Sequence, residues 1–183
     1  ESPEGPYTDV NGNPLVCSTD IGTGNKMLGS FRWEDDPVDY FCPGHNDMFT
    51  TSRGVRLIAY HCRTNYFIEK QLSRSNNFHY LYLSQFDYNS DGWPVMNPNR
   101  YAEEEIQDVT EEELLNIAAG KLEAVLFTQG VSTAEAKRVV LHKDGTMDGA
   151  YKGARKMYGS RYISVEMQGD EYLGVVMPWW IDH

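Results

Sequence analysis

The sequence predicts an all-β protein in two parts, and three observations carry that prediction. The chain has 12 tyrosines and 13% aromatic residues among its 183 positions, a usage that favours strands over helices. Its apolar stretches are short and bounded by Gly, Asp, Asn and Pro clusters, the punctuation of strands joined by turns. One acidic stretch with helical spacing, near residues 102–120, interrupts the pattern and divides the chain.

In order, "GPYTDVNGNPL" at 5–15 reads as a hairpin-type turn and "KMLGSFRW" at 26–33 as a strand. "FCPGHNDMF" at 41–49 reads as a loop entering a core. "VRLIAYHC" at 55–62 is apolar on both alternating faces, which suits a strand covered on both sides. "FHYLYLSQF" at 78–86 is a strand with Phe78, Tyr80 and Tyr82 on one face. Asp91-Gly92 in the following "DYNSDGWPV" marks a tight turn. In "YAEEEIQDVTEEELLNIAAG", Thr110 and Glu113 fit a capping box and Gly120 fits a stop. "KLEAVLF", "AKRVVLH", a "KDGTMDG" turn, "RYISVEM", a "QGDE" turn and "YLGVVMP" then complete a small sandwich or barrel.

The net charge of −11 and pI near 4.8 exclude a polyanionic partner such as nucleic acid, which needs a basic stripe. No apolar run approaches 18 residues, so no membrane-spanning helix is expected, and no signal peptide is visible. The first residue is not Met, which suggests a processed or partial chain. Cys17, Cys42 and Cys62 are odd in number and never at CxxC spacing, which disfavours zinc. Buried thiols, or one bridge plus one free thiol, both fit.

Two groups of residues invite chemistry. His45, Asn46 and Asp47 lie between the tight Pro43-Gly44 passage and the apolar Met48 and Phe49. Polar side chains at such an entry need partners, so either a binding site or a satisfied structural turn explains them. The consecutive carboxylates Asp35-Asp36, Glu103-Glu104-Glu105 and Glu111-Glu112-Glu113 read instead as solvated surface, and no catalytic acid–base pair is assigned. His61 and His79, within strand patterns, read as core residues, and His142 and His183 as exposed. Trp93, beside the Asp91-Gly92 turn, fits either a sugar-stacking face or packing of that turn. Trp179 and Trp180 fit either a binding platform or a closing plug.

Taken together and in this order, "GPY.D..G" at 5–12, "MLGSFRW" at 27–33, "PGHND" at 43–47, "LIAYHC" at 57–62 and "DGWPV" at 91–95 resemble the C-terminal stretch of family 43 glycoside hydrolases, of the endo-α-1,5-L-arabinanase type. The tail from "AAGKLEAVLF" to "YLGVVMPWW" is similar to the small β-domain that follows the catalytic domain in two-domain arabinanases. The resemblance implies the C-terminal part of a five-bladed β-propeller followed by a small β-sandwich or barrel. Residues 1–101 would be the last blade or blades, 102–120 a linker with a short helix, and 121–183 the accessory β-domain.

The resemblance further implies inverting hydrolysis of α-1,5-L-arabinofuranosidic bonds in arabinan, by catalytic carboxylates upstream of this chain. The N-terminal part of the same enzyme, joined or as a separate chain, would be its partner. His45 would sit at the propeller axis beside calcium or a similar ion held largely through water. Gly44 and Asp47 would support it, Asn46 would contact substrate, and no organic cofactor is implied. Asp47 departs from the Ser commonly found there. A polymeric substrate implies a secreted or periplasmic enzyme and no membrane partner. The alternatives are another family 43 activity, on xylosides or galactans, and a non-catalytic carbohydrate-binding β protein.

Overall fold

The computed structural model describes residues 2–16, 23–34, 36, 38–64, 79–128 and 132–178. The expectations for Cys17, Phe78, Trp179, Trp180 and His183 lie outside the described residues. The architecture is all-β with one helix among the described residues. The elements are β1 (Phe31–Arg32), β2 (Asp39–Thr50), β3 (Arg56–Thr64), β4 (Tyr80–Tyr88), β5 (Pro94–Met96), α1 (Glu111–Ala118), β6 (Gly120–Ala124), β7 (Ala134–Glu135), β8 (Lys137–Leu141), β9 (Thr146–Gly149), β10 (Gly153–Tyr158), β11 (Tyr162–Met167) and β12 (Asp170–Val175).

Two six-stranded sheets result. The first has the order β5-β4-β3-β2-β1-β7 and the second β12-β11-β10-β9-β8-β6. Within the first, β2 to β5 form an antiparallel meander. Its core is Ile58, Tyr60, Cys62, Tyr82 and Phe86, flanked by Leu28, Tyr40, Tyr80 and Met96. Alternation in β3 puts Ile58, Tyr60 and Cys62 on this one face. On the other face Leu57 is buried and His61 half-buried.

The second sheet is an antiparallel meander from β8 to β12, with β6 added beside β8. It buries Val139, Leu141, Met157 and Met167, and α1 contributes the buried Leu114. The helix starts as the sequence predicts. Thr110 accepts from the Glu113 amide, and Glu113 accepts from the Thr110 amide in return. Arg155, buried on β10, reaches the first helical residue, with Nη2 3.4 Å from Glu111 Oε1. Gly153 is required on packing grounds: a Cβ there would fall 1.8 Å from the Glu166 carbonyl oxygen.

The halves are interleaved. Between β6 and β8 the chain crosses over, and β7 pairs in parallel with β1 of the first sheet. The Ala134 amide donates to the Ser30 carbonyl, and the Ala136 amide to that of Arg32. Phe31 sits at this joint, 3% exposed. Its ring stacks on Tyr40 at 4.8 Å and meets Trp33 and Phe127 edge-on at 5.5 and 5.9 Å. A second link is ionic. Arg161, in the turn between β10 and β11, reaches Asp87 of β4 at 3.4 Å and Asp108 at 2.8 Å.

Several local expectations change. The stretch 41–49 is strand rather than loop, since a bulge absorbs Pro43 and Gly44 pairs with His61. Only Phe31–Arg32 of 26–33 is strand. Thr146–Gly149, expected as turn, forms β9. Glu104 is buried rather than solvated, and its Oε2 accepts from the Ala102 amide at 2.7 Å. Glu111, Glu112 and Glu113 are exposed as expected.

Candidate functional site

His45 owes its position to two interruptions of the β2–β3 ladder. Phe41 pairs with Arg63, Gly44 with His61 and Asp47 with Ala59. Each step along β2 therefore carries one residue more than β3 supplies, which is the signature of a bulge. Pro43, with no amide proton, is accommodated in the first bulge. His45 and Asn46 occupy the second, opposite Tyr60. The left-handed backbone falls on Cys42 (φ 49°) and His45 (φ 51°). At a non-glycine residue that conformation is uncommon and is concentrated at functional sites. Gly44 has neither a positive φ nor a neighbour within 4 Å of a Cβ placed on it.

Within this chain His45, Asn46 and Asp47 are exposed, not buried at a core entrance. The His45 ring meets His61 edge-on at 5.8 Å, and His61 lies 4.3 Å from His79. His79 is exposed, directly before β4, which corrects the expectation of a core histidine. Its Nε2 accepts from Arg63 Nε at 3.0 Å. Desolvation of the ring, then the Arg63 charge and His61, lowers the His79 pKa. Asp47 Oδ1 accepts from the Met48 amide at 2.9 Å, a local turn bond.

Asn46 lines a cleft of about 390 Å³ with Asn25, Gly44, Tyr60 and Met96. An adjoining cleft of similar volume shares Asn25 and Met96 and continues to Trp33, Glu123 and Phe127. The clefts offer amides, a carboxylate and aromatic rings, groups that suit a hydroxylated ligand. Asn25, Trp33 and Glu123 were not singled out from sequence, because each is an isolated polar or aromatic residue that gains meaning only when distant segments meet. A larger cavity of about 800 Å³ lies elsewhere, between α1, Glu103–Glu105 and the end of β12. None of its lining residues belongs to the histidine cluster.

Among the described residues no group of three or more His, Cys, Asp and Glu side chains could hold a metal ion. One imidazole is a poor match to an ion that takes six to eight oxygens. Also among the described residues, no helix is long and apolar enough to cross a membrane.

Residues 98–183 match the family model of the C-terminal lipocalin-like domain of family 43 glycoside hydrolases. The extracellular endo-α-(1→5)-L-arabinanase 2 of Bacillus subtilis (strain 168) is 26% identical over 198 aligned positions, which take in 98% of this chain and 39% of that protein. Residues 98–183 are thus a C-terminal lipocalin-like domain of the family 43 type, and the chain is homologous to an endo-α-1,5-L-arabinanase along nearly its whole length. Solved structures agree. The family 43 YxiA protein from Bacillus licheniformis matches with a TM-score of 0.82 at 26% identity, over 98% of this chain and 41% of that one. The endo-1,5-α-L-arabinanase of Thermotoga petrophila RKU-1 matches with a TM-score of 0.78 at 25% identity, over 96% and 40%. The chain thus spans about two fifths of the length of these relatives.

Proposed function

We propose that this chain is the C-terminal part of an enzyme that hydrolyses α-1,5-L-arabinofuranosidic bonds in arabinan with inversion. The observation that carries the reading is the match to endo-arabinanases along nearly the whole chain, in sequence and in fold together. The catalytic acid and base would lie upstream, in the three fifths of the relatives' length that this chain does not span. The meander β2 to β5 has the four antiparallel strands of a propeller blade. In this reading it closes the catalytic domain, with the exposed His45 face turned toward the upstream part.

His45 would contribute one nitrogen to the surroundings of a water-coordinated cation, calcium or similar. The upstream part and solvent would provide the remaining oxygens. Asn46 and Asn25 would hydrogen-bond sugar hydroxyls in the cleft, and Gly44 and Asp47 would shape the bulge that presents His45. The partner is therefore the N-terminal part of the same enzyme, as one chain or two, and the working location is outside the cell.

The experiment is a substrate panel. The complete enzyme is incubated with linear α-1,5-arabinan, β-1,4-xylan and galactan, and new reducing ends are counted. Arabinan cleaved well ahead of the others supports the proposal. Preference for xylan or galactan replaces the substrate assignment, and cleavage of none replaces the enzymatic reading with a carbohydrate-binding role.

A further inference from the structure

The two clefts that meet at Asn25 run together into one groove, since Asn25, Lys26 and Met96 line both. At one end stands Asn46, beside the His45 bulge. At the other stand Trp33 and two residues of the later half, Glu123 on β6 and Phe127. Each cleft holds about 390 Å³, and a site for one small ligand takes about 300–1,000 Å³. A ligand that fills both clefts is therefore an extended chain rather than a single small molecule.

The end at the second sheet has preset walls. Trp33 and Phe127 are half-buried, and the Phe31 ring meets each of them edge-on, at 5.5 and 5.9 Å. Phe31 is itself buried, so it fixes both rings before a ligand arrives, and walls already ordered cost less on binding. Glu123 is half-buried as well, so solvent and ligands reach it. Its Oε2 lies 3.4 Å from the Glu34 amide nitrogen. A carboxylate has about four lone-pair sites, and this one long bond leaves the others able to accept. Lys26 and Glu123 put one charge of each sign into the same cleft. An anionic ligand would face Glu123 and a cationic one Lys26. A neutral polyhydroxylated chain meets neither penalty: its O–H groups donate to Glu123, and its C–H faces lie on the aromatic rings.

We propose that this groove binds a neutral glycan chain of several sugar residues running from Asn46 to the second sheet, with Trp33 and Phe127 as its stacking wall and Glu123 as a hydroxyl acceptor. The later half of the chain thus binds substrate directly, holding sugar residues beyond those nearest His45. Arabinofuranose as the sugar rests on the arabinanase reading. The aromatic and carboxylate character of the groove does not.

Chain length provides the test. The complete enzyme, Glu123→Gln and Trp33→Ala are assayed on a trisaccharide and a hexasaccharide of α-1,5-arabinan, and on the xylan and galactan counterparts. Glu123→Gln should raise KM for the arabinan hexasaccharide about three- to tenfold, the loss of one hydrogen bond to a charged acceptor, and Trp33→Ala about tenfold. KM for the trisaccharide and kcat for both should stay as they were, because the short chain does not reach the second sheet. A role in folding alone would move both lengths together. Should Trp33→Ala fail to fold, Glu123→Gln, equal in size at a half-exposed position, still decides. A length-dependent effect on xylan or galactan oligosaccharides alone keeps the groove and overturns the arabinan reading. Should the enzyme cleave none of them, native gels containing each polysaccharide decide instead: retardation lost in Glu123→Gln supports the groove, and no retardation of the parent enzyme overturns it. A hexasaccharide KM unaltered in both variants, or raised equally for the trisaccharide, overturns the groove even if the enzyme cleaves arabinan.

Discussion

Replacing Phe31 tests how the halves are joined. Its ring is 3% exposed and contacts three other aromatic rings, with Tyr40 and Trp33 before the helix and Phe127 after it. Truncating a buried Phe to Ala costs about 3–5 kcal/mol. Each aromatic pair adds about 0.5–1.5 kcal/mol beyond its buried area. Because the three pairs share one ring and are not additive, Phe31→Ala is expected near the upper half of the range, about 4 kcal/mol. Phe31→Leu keeps most of the volume and should cost about 1–2 kcal/mol, largely the lost ring contacts. In a double-mutant cycle with Phe127→Leu the coupling should be about 0.5–1.5 kcal/mol. Urea unfolding of the complete enzyme, followed by tryptophan fluorescence, gives the totals. Hydrogen exchange gives a local reading, because the Ala134 and Ala136 amides that tie β7 to β1 should exchange faster in Phe31→Leu. A cost below about 1 kcal/mol for Phe31→Ala, with unchanged exchange at those amides, would refute the view that this cluster joins the halves.

Other outcomes follow from the same geometry. Cys62 is buried, and burial raises its pKa from the ordinary 9.0 to about 11. Iodoacetamide at neutral pH should therefore modify the exposed Cys42 and spare Cys62 until unfolding, as peptide mass mapping would show. The thiol form that the fold favours stabilises fully below pH 9, and this contribution should fade as the pH rises toward about 11. Thr110→Ala removes the helix cap and should cost about 1 kcal/mol in unfolding free energy. The bonds that Thr110 gives Glu113 hold the Glu113 carboxyl below its ordinary pKa. The cap therefore stabilises above that ordinary value and is lost as the pH falls through the lowered one. Alanine at Thr110 removes the hydroxyl bond and keeps the backbone amide that lowers the Glu113 pKa most, so this acid limb should shrink but persist. His45→Ala in the complete enzyme should leave the melting temperature nearly unchanged, because the side chain is exposed in this chain. It should lower kcat by about two to three orders of magnitude, the usual cost of one electrostatic element. It should also shift the pH–rate profile and weaken calcium binding in equilibrium dialysis. Full activity with an unaltered profile would leave His45 as a turn residue.

Much of the fold was legible because most strands obey simple rules. β3, β4, β8 and β11 are apolar stretches of strand length bounded by turn residues. The Thr110–Glu113 box fixed the helix start to the residue. β2 was hidden because Pro43 and Gly44 signal a break, whereas two bulges carry the strand through them. β10, "GARKMY", was missed because the adjacent Arg155 and Lys156 dilute its apolar signal, and Arg155, one of its inward residues, is charged. β7 has two residues and exists only because β1 offers an edge. Motif order pointed to His45 and Asn46, but the left-handed backbone at His45 and the clefts beside it are tertiary facts.

The central claim is that this chain serves arabinan hydrolysis only together with the part that precedes it. The direct measurement pairs the complete enzyme with residues 1–183 alone, at equal molarity on linear α-1,5-arabinan, counting new reducing ends over time. The account predicts steady release of arabino-oligosaccharides by the complete enzyme and none by the isolated chain. Hydrolysis by the isolated chain, or arabinan left intact by the complete enzyme, would contradict it.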